Sequence, residues 1–201
     1  MPGIAQSIKL ITEPACTRIS EYAFRYAEQH GRKRVTVVHK ANIMKLSDGL
    51  LLDCFRAVAA KHPSIEPVEI IVDACALQMV RNANKLDVVV TENLYGDILS
   101  DLGAGLVGGL GIVPGANIGD DVAVFEAVHG SAPDIAGRGI ANPTAVIQSG
   151  VMMLRHLGQP EPASRIERAL LAVYADGQSK TGDLGGKATT KEFTDALCAA
   201  L

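Results

Sequence analysis

The sequence predicts an α/β fold, and three observations carry that expectation. The first half alternates helix-like and strand-like segments three times, the pattern of a layered α/β architecture. Each strand-like segment, at residues 35–38, 68–72 and 87–90, is short and rich in Val and Ile. A polar or charged side chain follows each strand end: Lys40, Asp73, then Asp97 and Asp101. That is where ligands gather in open α/β sheets.

Taken in order, residues 4–11 read as extended, a strand or arm, with Ile4, Ile8, Leu10 and Ile11. Thr12, Glu13 and Pro14 make a helix N-terminus. Ile19, Tyr22, Ala23, Tyr26 and Ala27 keep helical spacing up to Gly31, a suitable stop. The basic turn Arg32-Lys33-Arg34 leads into the first strand. Ser47 and Asp48 are placed to cap the next helix, which buries Leu51, Cys54, Phe55 and Val58 and ends at His62-Pro63. The second strand runs into Asp73 at the start of a helix carrying Ala74, Leu77 and Val80. The third leads straight to Asn93-Leu94-Tyr95-Gly96-Asp97-Ile98-Leu99-Ser100-Asp101, read as a helix opening.

Residues 103–119 are glycine-rich and read as irregular after that helix. Residues 122–126 form a strand, and a polar loop follows to 141. Asn142-Pro143 opens a helix to Leu157, closed by Gly158. A second helix covers about 163–175. Residues 183–186 are a turn. Thr189 with Glu192 makes a capping box for a last helix, with Phe193, Ala196, Leu197 and Leu201 on one face. Three helices against one strand predict missing partner strands, from another chain or from further sequence.

At 201 residues the chain can form one large domain or two small ones. A net charge of −3 gives no electrostatic case for nucleic acid or an anionic membrane, and the absence of Trp argues against base stacking. Cys16, Cys54, Cys75 and Cys198 lack any CxxC pattern and read as buried or free thiols of a reducing compartment. No apolar run is long enough to span a bilayer, and the first residues lack the pattern of a signal peptide.

Two readings stand for each polar residue. Asp97 and Asp101 lie four apart, on one helical face. They suit either the positive end of a helix dipole or a divalent cation, and local spacing alone favours the dipole. Lys40 is either a solvated surface residue or a partly buried proton carrier. Asp73 is most economically an N-cap, and alternatively the third acid of a Mg²⁺ or Mn²⁺ site. The loop 126–142 matches neither GxGxxG nor a Walker A, yet Gly130, Gly137 and Gly139 permit close backbone approach to a nucleotide. Asp134 there is either a solvated acid or a ribose ligand that selects NAD over NADP.

Together, the 93–101 motif, Gly105-Leu106-Val107-Gly108-Gly109 behind it, and Glu126-Ala127-Val128-His129-Gly130-Ser131-Ala132-Pro133-Asp134-Ile135-Ala136-Gly137 resemble the isocitrate/isopropylmalate dehydrogenase family of β-decarboxylating dehydrogenases. Within it, His39-Lys40-Ala41-Asn42-Ile43-Met44 is similar to NAD-dependent isocitrate dehydrogenases, and Asp134-Ile135 to their NAD-specific form. The resemblance implies metal-dependent oxidative decarboxylation of isocitrate to 2-oxoglutarate with reduction of NAD. The alternatives are 3-isopropylmalate or homoisocitrate oxidation, or a non-catalytic subunit of a heteromeric dehydrogenase. It implies Lys40 as the catalytic lysine, and Mg²⁺ or Mn²⁺ on Asp97 and Asp101, with Asp73 as the third acid. Lys40 and Asp73 come from the partner subunit of a dimer. Asn42 and Glu126 lie near the nicotinamide, and His129, Gly130, Ala132, Asp134 and Asn142 along the adenosine end. It further implies a dimerisation and substrate-side domain at 1–105, and the C-terminal part of a nucleotide domain at 106–201. The location implied is cytoplasmic, or the mitochondrial matrix in a eukaryote. Family members are longer, so the expected fold lacks its N-terminal strands, and with them the substrate-gripping arginines and the catalytic tyrosine.

Overall fold

The computed structural model describes residues 3–201. The chain divides into two compact units, Met1–Gly103 and Ala104–Leu201.

The first unit is built on a three-stranded parallel sheet of order β2-β1-β3, formed by β1 (Arg34–His39), β2 (Glu66–Ile71) and β3 (Val88–Thr91). The central strand is buried on both faces, as its apolar run requires. Because side chains alternate along a strand, Val35 and Val37 meet one layer and Val38 the other. The first layer is α1 (Glu13–Gln29) and α2 (Ser47–Ala59), which bring Phe24, Phe55, Leu51 and Val58 onto the sheet. The Phe24 and Phe55 rings lie 5.3 Å apart and are fully buried. Each contributes about 1.5–3 kcal/mol of hydrophobic stabilisation. The second layer is α3 (Val72–Asn82) and the start of α4 (Asn93–Val107), where Cys75 and Leu99 pack on Val38.

The structure decides several local expectations. Residues 4–11 are an arm without strand pairing. Thr12 stands at the N-cap of α1 but makes no capping hydrogen bond. Neither Ser47 nor Asp48 caps α2, whose N-cap is Leu46, and Asp73 lies inside α3 behind the N-cap Ile71.

The second unit corrects the count of strands. Residues 114–118, read as irregular, form β4 (Pro114–Ile118), paired antiparallel with β5 (Ala123–Ala127) in register Pro114↔Ala127 and Ile118↔Ala123. The helix α5 (Thr144–His156) packs on this hairpin, so it does have a sheet to cover. Gly158, at φ 71°, supplies the left-handed residue just past its end. α6 (Pro160–Asp176) and α7 (Thr190–Ala200) bury Leu170, Val173, Phe193 and Leu197 between them. The capping box of Thr189 and Glu192 is present as expected, whereas Leu201 is half exposed.

The turn between α6 and α7 is closed by Gly186, whose N–H donates to Thr181 O at 2.9 Å. A Cβ on Gly186 would fall 1.8 Å from the Lys180 carbonyl oxygen, a backbone atom that cannot swing aside. Gly186→Ala is expected to cost about 2–3 kcal/mol through overpacking. Urea denaturation measures it, with Gly182→Ala, where the added methyl meets nothing within 4 Å, as the comparison. Equal losses in the two variants would refute the close-approach argument.

Candidate functional site

The parallel pairing sets the three strand ends level: Val38 lies opposite Ile70 and Thr91, and His39 opposite Ile71. Each chain exit therefore delivers its polar residue to one rim of the sheet. Lys40 leaves the central strand, and its ammonium forms an ion pair with Asp73 Oδ1. Asp73 is largely exposed, and the Lys40 ammonium beside it is the main reason its carboxyl sits below the usual range. Lys40 itself is about two-thirds covered.

Two neighbours hold this exit. His39 is 9% exposed, and its Nδ1 accepts the Ala41 N–H at 3.0 Å, which requires a neutral ring with the proton on Nε2. Burial is the main cause of its lowered pKa, against the charges of Glu69 and Asp48. Asn42 stands exposed in the turn in which Ile43 N and Met44 N both donate to Lys40 O.

The acids of α4 are decided by where that helix begins. It starts at Asn93, so Asp97 is its fifth residue and Asp101 its ninth, and its first turn holds no acid. The dipole effect fades beyond the first turn, so the helix-start reading, favoured on spacing alone, does not account for them. Both are exposed, one turn apart on one face, and neither joins an ion pair among the described residues. Unpaired like charges at that spacing cost roughly 0.2–0.5 kcal/mol. Two carboxylates on one face are hard oxygen donors of the kind Mg²⁺ and Mn²⁺ take. Among the described residues, however, no three His, Cys, Asp or Glu side chains stand close enough to hold a metal. The chain brings Lys40 to Asp73 and Asp97 to Asp101, but does not gather the three acids.

The second unit presents the remaining residues. Glu126, on β5, accepts from Asn117 Nδ2 at 2.8 Å across the hairpin, and its carbonyl accepts from Ser149 Oγ at 2.7 Å. Beyond it runs the exposed loop with His129, Gly130 and Asp134. His129 Nδ1 donates to Gly130 O at 2.9 Å. Ala132 is held at φ 43°, the one non-glycine residue with positive φ among those described. Such strain costs an L-residue roughly 1–2 kcal/mol and clusters at binding loops. Asn142 is buried, and its side chain is engaged within the unit. Its Nδ2 donates to Asp183 Oδ2 at 3.0 Å and Tyr174 Oη at 3.4 Å, and its Oδ1 accepts the Thr144 N–H.

Sequence reasoning missed one constellation. Asp48 is 1% exposed and accepts the Lys40 backbone N–H at 2.7 Å and Lys9 Nζ at 2.8 Å. The Lys9 ammonium also lies 3.2 Å from Glu92 Oε1 and 4.6 Å over the Tyr95 ring. Lys9, the one charged residue of the arm 4–11, was the available signal.

Comparisons with known proteins identify the family. The description of the isocitrate/isopropylmalate dehydrogenase family matches residues 2–197. The chain is 56% identical, over 98% of its length, to a protein of Arabidopsis thaliana named as the mitochondrial NAD isocitrate dehydrogenase catalytic subunit 5, and covers 53% of it. It is 57% identical, over 97% of its length, to a Dictyostelium discoideum protein named as a mitochondrial regulatory subunit of NAD isocitrate dehydrogenase, covering 55% of it. The chain thus spans about half the length of the curated relatives it matches. The crystal structure of isocitrate dehydrogenase from Methylococcus capsulatus superposes with a TM-score of 0.94 at 54% identity, covering 97% of this chain and 58% of that one. Sequence motifs, strand-end placement and a match running almost from end to end converge: the chain belongs to the isocitrate/isopropylmalate dehydrogenase family.

Proposed function

We propose that this chain forms part of an NAD-dependent isocitrate dehydrogenase that oxidises isocitrate and releases 2-oxoglutarate and CO₂. One observation carries the reading: Lys40, Asp73 and the acids of α4 follow three adjacent parallel strands, in a chain more than half identical to a named catalytic subunit. Mg²⁺ or Mn²⁺, when bound, supplies a Lewis acid for the hydroxyl and carboxylate of the substrate. Asp97 and Asp101 offer it oxygens from α4, and Asp73 of a second copy supplies the third acid that one chain does not gather. Lys40 carries a proton at the substrate hydroxyl. Asn42 and Glu126 face the nicotinamide of NAD, the hydride acceptor. His129, Gly130, Ala132, Asp134 and Asn142 line its adenosine end. Residues 1–105 then serve dimerisation and substrate, and 106–201 the nucleotide. The shared site makes a dimer, or a larger assembly of dimers, the working unit. Both curated relatives are named mitochondrial, which supports that compartment for this chain in a eukaryotic cell. No helix among the described residues is long and apolar enough to cross a membrane.

The test is NADH formation by the intact protein from isocitrate with Mn²⁺, abolished by EDTA, and at least about tenfold slower with 3-isopropylmalate, the scale of a substrate group mismatched to its pocket. Equal rates on the two acids would overturn the substrate assignment. Identity to a regulatory subunit supports a second reading, a non-catalytic partner. Turnover by the protein purified without any other subunit distinguishes the two.

Asp134 carries the cofactor preference. A carboxylate accepting from a ribose hydroxyl repels a 2′-phosphate. Asp134→Lys is therefore expected to lower the preference for NAD over NADP by at least about tenfold, the scale of one charged hydrogen bond. An unchanged ratio of kcat/KM values would remove Asp134 from the ribose.

A further inference from the structure

The buried Asp48 belongs to no role derived above, yet it touches the main chain of Lys40. Its two oxygens are fully engaged. Oδ2 accepts the Lys40 N–H at 2.7 Å, and Oδ1 accepts Lys9 Nζ at 2.8 Å and Ser47 Oγ at 3.1 Å. A carboxylate 1% exposed is costly unless paired, and Lys9 is its only cationic partner among the described residues. Lys9 does not stop there. Its ammonium lies 3.2 Å from Glu92 Oε1, at an angle that leaves this oxygen without a hydrogen-bond donor. The other oxygen of Glu92 accepts the Leu94 N–H at 3.1 Å, and its carbonyl accepts the Gly96 N–H at 3.0 Å. Glu92 thus stands immediately before α4 and accepts from two N–H groups of its first turn. The Tyr95 ring, in the first turn of α4, lies under the same ammonium at 4.6 Å.

One cation from the arm therefore spans two exits of the sheet. On one side stands the backbone of Lys40. On the other stands the start of the helix that carries Asp97 and Asp101. Arm, β1 exit and α4 start have no covalent reason to keep a fixed spacing, and a buried charge pair is directional where apolar packing is not.

We propose that Lys9, bridging Asp48 and Glu92, is a positioning residue that holds two sheet exits at once: the Lys40 backbone, which this chain lends to the site of a second copy, and the start of α4, which carries the acids of its own. The proposal rests on the reading that Lys40 serves isocitrate oxidation. It acts on geometry at the moment of reaction, so it governs kcat more than the binding of substrate or metal.

The experiment uses the intact protein and reads two things. The first is steady-state kinetics with isocitrate, NAD and Mn²⁺, together with Mn²⁺ affinity by electron paramagnetic resonance. Lys9→Met is expected to lower kcat about 10- to 50-fold, the scale of a small misplacement, with KM and Mn²⁺ affinity each within threefold. Lys9→Arg is expected to recover at least a third of the original kcat. Lys9→Met/Asp48→Asn is expected to fall no further than Lys9→Met alone, because the two act through one path. The second readout needs no activity: hydrogen exchange of the Lys40 amide is expected to quicken at least about tenfold in Lys9→Met, while that of Val38 within the strand holds. A folded Lys9→Met with kcat within twofold of the original, or with unchanged Lys40 exchange, overturns the proposal. So does a loss of Mn²⁺ affinity that tracks kcat, or additive losses in the double variant. If Lys9→Met does not fold, Glu92→Gln takes its place, with a kcat loss of threefold or more expected and an unchanged kcat counting against. Lys40→Met with undiminished turnover would sink the reading of Lys40 instead, and the exchange measurement then still judges the bridge.

Discussion

Asp97→Asn in the intact protein is expected to weaken Mn²⁺ binding at least about tenfold, and to slow isocitrate-dependent NADH formation roughly 100-fold, without loss of fold stability. Removing one charged ligand forfeits about 1.5–3 kcal/mol, which sets the scale of the binding loss. The stability half of the expectation comes from the helix. Asp97 sits beyond the first turn of α4, one turn from Asp101, with no cation paired to either among the described residues. Like charges at that spacing oppose the helix, so the neutral Asn variant should be as stable as the original or better by about 0.2–0.5 kcal/mol. Asp101→Asn should behave in the same way. Isothermal titration with Mn²⁺ and urea denaturation of the metal-free protein check the two halves separately. A variant that binds Mn²⁺ normally would remove Asp97 from the metal. One that loses stability without metal would restore the acids to a helix-stabilising role.

Lys9→Met should show the other large effect, in stability and in its dependence on pH. In the original chain burial pushes the Asp48 carboxyl up. The hydrogen bond and charge of Lys9, with the Lys40 N–H and Ser47, more than reverse this, and the net pKa is lowered from 3.8. A lowered carboxyl pKa means that the unfolded chain binds the proton first as pH falls. The stabilisation is therefore present above the ordinary value and lost below it, in acid. Lys9 has the mirror behaviour. Burial pushes its pKa down, its two carboxylates push it up further, and the net is a rise above 10.5. Its contribution is present below that value and lost only in strong alkali. Between these limits the pair contributes nothing pH-dependent.

Without Lys9, burial dominates Asp48 and raises its pKa in the folded state. Stability then falls as pH rises from about 4 towards neutrality, the opposite slope to that of the original carboxylate. Cys16, Tyr95 and His39 also face this charge; the first two are not cations, and burial works against the charged form of His39. At a pH of about 7.5 Lys9→Met is expected to be about 3 kcal/mol less stable, the cost of stranding a buried charge that keeps its other hydrogen-bond donors. At a pH of about 5 the deficit should shrink. The double variant Lys9→Met/Asp48→Asn should recover stability near neutrality, since no charge is left stranded. Urea denaturation at the two pH values decides it. A deficit equal at both, with no recovery in the double variant, would mean that Lys9 acts through packing of its stem alone.

Residues differed in how legible they were in the sequence. Helices announced themselves through local chemistry: the Thr189–Glu192 capping box needs only four residues, and Gly158 needs only its own freedom at positive φ. The three parallel strands were visible because each carries a short Val- and Ile-rich run, and β1, the central one, is buried on both faces. β4 was not, because Pro114-Gly115 opens it and its stability comes from pairing with β5, which a window of sequence does not contain. Asp48 looked like a cap for α2 because the pattern around it is local, whereas its partners lie 8 and 39 positions away.

The sequence by itself determined the family and the α/β rim, because each rests on a short motif or a strand end, and on the same grounds it nominated residues for metal, proton and nucleotide. Tertiary structure alone decided the rest. It set α4 to begin at Asn93, which withdrew the dipole explanation of Asp97 and Asp101. It paired Lys40 with Asp73 and left the three acids ungathered. It placed Lys9 between Asp48 and Glu92, for burying a carboxylate draws in whatever cation the fold brings near, and sequence distance does not report that proximity.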